Sequence, residues 1–206
     1  ITHDWREGTY KNYFWMVPYN LKDLINKIGG DAFAETRLDT LFSKLDAKYE
    51  QDWFAAGNEP DFQVPWVYNW IKKPEKTSQT IARILDEQYN SSSSGLPGND
   101  DLGTMGAWYV FASIGLYPMI PGVAGLSINI PSFEEVLISL PNKKTLKIIT
   151  PKTNNFYTKS LLLNNNSHYS SWIEWDKIKN GGVLEFETTT NKQSNWGETE
   201  PPPSFN

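Results

Sequence analysis

Five acidic side chains stand outside the hydrophobic stripes of the sequence, in three segments that are far apart along the chain. They are Glu7 in "REGTYKNYFW", Glu59 and Asp61 in "GNEPDFQ", and Asp100 with Asp101 in "GNDDLG". A carboxyl group enclosed by aromatic rings keeps its proton to higher pH, because burial disfavours the charged form. A carboxylate in a polar glycine turn stays ionised and can activate water. Two carboxyl groups in such opposed environments are typical of glycoside hydrolysis.

Glu7 is the candidate for the protonated member of such a pair, because aromatic residues flank it in the sequence. If their rings enclose the carboxyl group, its pKa rises and it can serve as a general acid. The ionised partner would then come from the Asp-Asp pair. The flanking aromatic residues are Trp5, Tyr10, Tyr13, Phe14 and Trp15.

Each of these features also has an ordinary structural explanation. An Asp-Asp pair before a helix commonly caps it, because a carboxylate accepts unpaired backbone N–H groups and favours the positive end of the helix dipole. A glutamate such as Glu7 is commonly a surface carboxylate, and "GNEP" is commonly a plain turn. Aromatic stripes usually belong to a core. The residues alone leave both interpretations open. His3 and His168 are isolated, and we assign them no role.

The composition indicates a globular chain and argues against several classes of partner. Its 206 residues, of which 39% are hydrophobic and 14% aromatic, suffice for a packed core. A net charge of −5 and the lack of a Lys/Arg cluster argue against nucleic acid, whose binding depends on cationic side chains. With no cysteine and two histidines, any metal site is expected to use oxygen ligands.

One uncharged stretch, 108–126, is long enough to span a bilayer. It contains Pro118, Pro121 and three glycines, which a lipid-exposed helix would have to accommodate. We therefore predict a buried helix followed by a turn, and no membrane span. Two N-glycosylation triplets begin at Asn90 and Asn165, and such triplets are common by chance.

The hydrophobic pattern predicts the elements that must position the acidic residues. In the first part of the chain, apolar residues recur at helical spacing, and polar, glycine-rich loops between the helices carry the acidic motifs. After Pro121 the apolar residues alternate, which predicts antiparallel strands. The sequence therefore predicts an α+β chain. The helices are expected to begin after Asn20, at Asp31 with an apolar face continuing to Leu45, beyond Pro74, and at about Leu102, the last ending near Leu116.

Three segments taken together resemble one known family. They are "EGTYKNYFWMVP", "GNEPDFQVPWVYNW" and "GNDDLGTMGAWYVFASIGLYPMIPG". In this order, and followed by strands, they are similar to the C-terminal part of the calcium-dependent α-mannosidases of glycoside hydrolase family 92. The resemblance extends from Glu7 to about Trp196. It implies an exo-acting, inverting hydrolase that releases mannose from non-reducing ends, with α-1,2-linked mannose of high-mannose N-glycans as the expected substrate.

The resemblance also implies roles for single residues. Glu7 matches the acid that protonates the departing oxygen, and Asp101 matches the base that activates water, with Asp100 as its nearest competitor. A calcium ion that grips the mannose hydroxyls is implied. Asn58 and Glu59 supply oxygen ligands of the type that calcium selects. The expected sugar contacts are Gln63, Asn99 and Trp15.

The chain departs from the family pattern at several positions. Asn99 stands where an acidic residue is often found, which leaves open whether three positions share the base role. Lys11 and Asn12 replace a frequent tryptophan and glutamine. Asn20 replaces a common aspartate, and Phe62 a frequent histidine. These departures concern the linkage preference and the leaving-group side of the site more than the reaction itself.

The resemblance implies that 1–122 form the second part of an (α/α)6 barrel and that 123–206 are strands of a β-sandwich beside it. The family's catalytic domain is much longer than this chain, so the N-terminal part of the same protein is an expected partner. We predict that 1–206 are inactive without it, since half a barrel would expose apolar inner faces. A secreted or periplasmic location is expected. Two alternatives stay open: an (α/α)6 enzyme acting on another sugar, and a non-catalytic carbohydrate-binding module.

Overall fold

The computed structural model describes residues 4–151 and 154–205, and His3 lies outside them. Helices predominate in the first half of the chain and strands in the second, which confirms the predicted α+β class. The α-helices are α1 Leu21–Lys27, α2 Asp31–Leu41, α3 Pro74–Gln88, α4 Thr104–Ile114 and α5 Trp175–Ile178. Short 3-10 helices span Tyr13–Trp15, Pro18–Asn20, Glu59–Asp61, Val64–Ile71, Asp101–Gly103 and Pro141–Lys143. The strands are β1 Leu116–Tyr117, β2 Gly125–Ile128, β3 Glu135–Leu140, β4 Lys144–Ile149, β5 Tyr157–Leu163, β6 Asn166–Ser167, β7 Trp172–Glu174 and β8 Gly182–Thr189.

Local signals explain where α1 begins and ends. The side-chain oxygen of Asn20 accepts a hydrogen bond from the backbone N–H of Asp23 at 3.3 Å, which caps the first turn. Gly29 and Gly30 follow the helix with φ of 115° and 89°, a left-handed conformation that terminates helices. Both signals are visible in the sequence, and the predicted start of the helix after Asn20 is confirmed.

Helix α2 is shorter than its apolar pattern predicts. It ends at Leu41, whereas the predicted apolar face continues to Leu45. Leu45 is buried all the same, because the chain turns after the helix and then pairs Asp46 with Ala55 in an antiparallel bridge. The prediction that the helical face continues to Leu45 is therefore wrong. Apolar residues at helical spacing can also be buried by a turn.

The 3-10 helix Val64–Ile71 lies at the centre of the first of two apolar cores. All of its residues are buried, and the ring of Trp66 stacks on that of Tyr117 with centroids 4.0 Å apart. The sequence did not predict this helix, because the run "VPWVYNWI" is apolar on every side and shows no period. It packs against α2 and α3, so the two helices share one buried partner.

Buried hydrogen bonds join this central helix to the strands. The amide nitrogen of Asn69 donates to the hydroxyl oxygen of Ser127 at 2.9 Å, and its amide oxygen accepts from Thr77 at 2.8 Å. The indole N–H of Trp66 donates to the side-chain oxygen of Asn129 at 3.1 Å. Because buried polar groups are costly when unpaired, this network fixes α3 and β2 relative to the central helix.

The strands form two sheets, with orders β1-β2-β7 and β3-β4-β8-β5-β6. In the larger sheet β4 and β8 run parallel, with Ile148 opposite Leu184. The prediction of antiparallel strands is wrong for this pair and holds for the other pairs of named strands. Alternate residues of β4 and β8 are buried in the second core, as the period of two predicts: Leu146, Ile148, Leu184 and Phe186.

The predicted boundary between 122 and 123 falls in the turn between β1 and β2, two strands that pair with each other. The uncharged stretch 108–126 forms most of α4, then β1, a turn, and the start of β2. Among the residues that the structure describes, no helix is both long enough and apolar enough to cross a membrane.

Candidate active site

Three distant segments of the chain meet at one pocket of about 300 Å³. Five of the eight site residues predicted from the sequence line it, and they carry carboxylate or amide groups: Glu7, Asn58, Glu59, Asn99 and Asp101. The other lining residues are Ala47, Lys48, Tyr49, Ala55, Gly57, Pro97 and Gly98. The pocket is therefore polar and acidic, with a single lysine among its lining residues.

Glu7 reaches the pocket from a strained turn. Its φ is 69°, a left-handed value that is uncommon for a residue other than glycine. Gly8 follows, and a methyl group there would lie 2.5 Å from the ring of Tyr13, so only glycine lets the turn pack on that ring. Strain of this kind is often found at functional sites, where the surrounding packing holds it in place.

Aromatic rings of the described residues do not enclose Glu7, so the condition expected for its role as a protonated acid is not met by this part of the protein. Glu7 is exposed, and so are Trp5 and Tyr10. Trp5 makes an edge contact with Tyr13, with ring centroids 5.9 Å apart, and Trp15 is fully buried in the first core. Aromatic residues close in sequence are distributed by packing between core and surface, so proximity along the chain does not make a shell.

Glycine contacts hold the other two segments side by side. A methyl group at Gly57 would lie 2.6 Å from the carbonyl oxygen of Pro97, and one at Gly98 would lie 2.6 Å from the carbonyl oxygen of Gly57. The backbones of "GNEP" and "GNDD" thus touch where each motif begins. This contact places Asn58 next to Asn99, and neither glycine position accepts a side chain unless the backbone shifts.

The two adjacent aspartates have different surroundings. One carboxylate oxygen of Asp100 accepts hydrogen bonds from the backbone N–H groups of Met105 and Gly106, at 2.8 and 3.1 Å, and so caps α4. Asp101 instead lines the pocket. The left-handed backbone of Leu102, with φ of 56°, turns the chain between Asp101 and the helix. The capping explanation thus applies to Asp100, whereas Asp101 lies at the pocket.

Thr104 links the two acidic loops. Its hydroxyl group lies 2.8 Å from the backbone carbonyl of Asp101 and 3.1 Å from a carboxylate oxygen of Glu59. Because both oxygens are acceptors, the hydroxyl proton serves one of them at a time. The contact nevertheless keeps Glu59 beside the turn that carries Asp101.

Asn58 is oriented by a tyrosine. Its amide nitrogen donates to the hydroxyl oxygen of Tyr13 at 2.8 Å. Burial raises the pKa of Tyr13 above its ordinary value, the hydrogen bond from Asn58 offsets part of this, and the charge of Glu7 adds to the increase. With the nitrogen of Asn58 used in this bond, its amide oxygen is the atom that can serve a cation or a sugar hydroxyl.

Three of the predicted site residues do not line the pocket. Asp100 caps α4, and the amide nitrogen of Gln63 donates to the carbonyl of Pro60 within its own loop at 2.9 Å. Trp15 is fully buried in the first core. None of the three touches the space enclosed by the acidic loops.

Sequence reasoning gave no role to Asp61, which supports the pocket from beneath. It is fully buried, and one carboxylate oxygen accepts from the backbone N–H of Ala55 at 2.9 Å. Burial raises the pKa of Asp61 to about 7, against the effect of that hydrogen bond. Sequence reasoning also overlooked Lys48 and Tyr49. They follow the predicted helix, whose apolar face was expected to end at Leu45, and no motif marks them.

The donor atoms of the pocket suit a hard cation in type. Asn58, Glu59 and Asn99 offer amide and carboxylate oxygens, which calcium prefers. Within the described residues no group of three or more His, Cys, Asp or Glu side chains could hold a metal ion. Asn58, Glu59 and Asn99 by themselves offer fewer oxygens than the roughly six to eight that calcium takes, and water or sugar hydroxyls would have to complete the shell.

The chain is similar to known glycosidases in both sequence and structure. The family model of the glycosyl hydrolase family 92 catalytic domain matches residues 1–190. The chain is 32% identical to an uncharacterized secreted glycosidase of Arthroderma benhamiae, over 98% of this chain and 26% of that protein. It is also similar to a family GH92 α-mannosidase of Bacteroides thetaiotaomicron solved with mannoimidazole, with 30% identity and a TM-score of 0.86. That match covers 96% of this chain and 28% of the other.

A second solved structure, a family GH92 inverting mannosidase of the same bacterium, has 27% identity and a TM-score of 0.84. That match covers 97% of this chain and 30% of the other. The chain therefore spans less than a third of the length of each of these three proteins, from 26% to 30%.

Proposed function

Because this chain belongs to glycosyl hydrolase family 92, we propose that it supplies the acid and the base of an exo-acting α-mannosidase that works with inversion. The observation that carries the proposal is the meeting of Glu7 and Asp101 at one pocket, although 94 positions separate them in the sequence. Two similar structures are described as mannosidases, one of them as inverting, which supports the choice of sugar and stereochemistry.

In this mechanism the two carboxyl groups act on opposite faces of the sugar. Glu7, protonated, gives its proton to the glycosidic oxygen as the bond from that oxygen to the anomeric carbon breaks. Asp101, ionised, takes a proton from a water molecule whose oxygen forms the new bond to the same carbon. An inverting pair stands about 6.5–9.5 Å apart, which leaves room for the water. The loop contact at Gly57 and Gly98 holds the segment that carries Asp101 against the segment that carries Glu59.

The stereochemical course gives the direct test of this proposal. The full-length protein containing this chain should release mannose from α-1,2-mannobiose, and the first product should be the β anomer, because water attacks opposite to the leaving group. Proton NMR of the fresh reaction mixture distinguishes the anomers before they interconvert. Release of α-mannose would contradict inversion. Absence of mannose release, together with retained glycan binding, would favour a carbohydrate-binding role.

We propose that Asn58 and Glu59 hold a calcium ion, with Asn99 beside them. The oxygen donors lining the pocket support this choice, as does the orientation of Asn58 by Tyr13. Such an ion would grip mannose hydroxyls and help to distort the ring. The residues of the chain contribute independently of it: the loop contact holds Asn58 and Glu59 in place, and Thr104 keeps Glu59 near Asp101.

Removal of calcium should abolish mannose release by the full-length protein. Once the ion is gone, Asn58 and Glu59 alone offer too few contacts to hold the mannose hydroxyls. The measurement is the initial rate after treatment with EGTA, and again after calcium or magnesium is added back. Recovery with calcium alone is expected, since magnesium demands stricter octahedral geometry. Full activity after chelation, with calcium verified absent by elemental analysis, would contradict the proposal.

We further propose α-1,2-linked mannose of high-mannose glycans as the substrate, and an exported location. The description of the fungal relative as a secreted glycosidase supports export. We also propose that an N-terminal part of the same protein is a partner of this pocket, since the chain spans less than a third of the length of its relatives. The exposure of Glu7 supports this, since a general acid works best when shielded from water.

A further inference from the structure

A tight turn at 47–51, here called the Tyr49 turn, forms one wall of the pocket. The backbone N–H of Lys48 donates to the side-chain oxygen of Gln51 at 2.8 Å, and the N–H of Gln51 donates back to the carbonyl of Lys48 at 3.1 Å. Glu50, with φ of 67°, reverses the chain within the turn. The result is that Lys48 and Tyr49 project at the pocket, which both line.

The Tyr49 turn is fixed to the segment that carries Glu7. The buried amide nitrogen of Asn12 lies 3.3 Å from the carbonyl oxygen of Gln51 and 3.4 Å from that of Trp53. The amide oxygen of Asn12 accepts from the backbone N–H of Thr9 at 2.7 Å, close to the Glu7 turn. Lys11 adds an ion pair with Asp52 at 2.6 Å, which is half-exposed and contributes little by itself. These contacts hold the Tyr49 turn beside the segment that carries Glu7.

Tyr49 is the one aromatic residue among those that line the pocket, and its side chain is 71% exposed. Glu7 and Tyr49 line the same pocket, from the two segments that these contacts join. A large ring held open to solvent beside an acidic pocket has a flat apolar face available for a ligand. Sugar rings also present flat, apolar C–H faces. The ring of a tyrosine can pack on such a face while its hydroxyl group stays in contact with water.

The chemistry of the acid decides which sugar this ring would meet. A general acid must touch the glycosidic oxygen, so the leaving group lies on its side of the mannose ring, away from the base. The Tyr49 turn is hydrogen-bonded to Asn12, in the segment that carries the proposed acid Glu7. The segment that carries the proposed base Asp101 packs on Gly57 instead. We infer that Tyr49 is the stacking platform for the leaving-group sugar and thereby helps to determine which glycans are cleaved. This inference rests on the proposed function.

The test compares substrates with and without a leaving sugar, using the full-length protein. Replacing Tyr49 with Ala should lower kcat/KM for α-1,2-mannobiose by about tenfold or more, because an aromatic contact and its buried area are lost. Hydrolysis of α-mannosyl fluoride, whose leaving group is a single atom, should stay unchanged. Tyr49→Phe should keep both rates, since the ring is retained. Tyr19→Ala removes a tyrosine that is also largely exposed, at 57%, and lies away from the pocket, so it serves as the matched control.

The outcomes separate this inference from the proposed function. If the unsubstituted protein hydrolyses both substrates and Tyr49→Ala lowers both rates equally, the ring serves the mannose or the fold, and the inference is overturned. Equal activity of Tyr49→Ala and the unsubstituted protein on mannobiose overturns it as well. If the unsubstituted protein hydrolyses neither substrate, the proposed function fails and takes this inference with it.

Discussion

Replacing Glu7 with Gln should lower kcat for α-1,2-mannobiose by about 10²–10⁴-fold, the usual contribution of a general acid. The amide fills the same space but cannot protonate the glycosidic oxygen. A sugar alkoxide is a poor leaving group, so the loss should be large. Binding of mannoimidazole, measured by calorimetry, should change much less, because the shape of the pocket is kept.

Leaving-group dependence separates the acid role from a structural one. α-Mannosyl fluoride needs little protonic assistance, so Glu7→Gln should retain most of its activity on that substrate. Glu87→Gln alters an exposed carboxylate on α3 that pairs with Arg83, and it should leave both rates unchanged. A Glu7→Gln protein that cleaves mannobiose at the normal rate would remove Glu7 from the mechanism.

Replacing Asp101 with Asn should be as severe, with kcat lowered by about 10²–10⁴-fold, whereas the same change at Asp100 should be nearly silent. An amide at Asp101 cannot take the proton of the attacking water. At position 100 an asparagine oxygen can still accept from Met105 and Gly106, and Asn is as good a cap as Asp. Initial rates on mannobiose measure both effects.

Stability measurements complete the comparison of the two aspartates. Asp100→Ala removes the acceptor of two helix N–H groups and should destabilise the full-length protein by about 1 kcal/mol. Asp101→Ala should change the unfolding midpoint less, since the hydroxyl group and the backbone N–H of Thr104 can still donate to its backbone carbonyl. Loss of activity in Asp100→Asn with normal activity in Asp101→Asn would exchange their assigned roles.

Much of the fold could be predicted from the sequence because its signals are local. The cap at Asn20, the paired glycines after α1 and the alternating strands all act within a few residues. The features that escaped prediction depend on partners far along the chain. These are the turn that buries Leu45, the buried helix Val64–Ile71, and the parallel pairing of β4 with β8.

The candidate site shows the same division. The family resemblance is confirmed by the match over residues 1–190, and glycine-led motifs identified the residues that line the pocket, although their catalytic roles stay predictions. The aromatic residues near Glu7 in the sequence do not form a shell around it, because Trp15 packs in the first core and Trp5 is exposed. No pattern marked Tyr49, since a lone tyrosine in a loop carries no signal until the loop is folded against the acid.

Buried hydrogen bonds from Asn69 to Ser127 and from Trp66 to Asn129 join the segments on either side of the predicted boundary after 122. Expressing the two halves as separate polypeptides would strand the buried amide of Asn69 and the indole N–H of Trp66 without acceptors. Each orphaned group costs about 1–3 kcal/mol, a large share of the stability of a small domain. We therefore expect the helical part and the strands to fold together, with neither half stable when expressed alone.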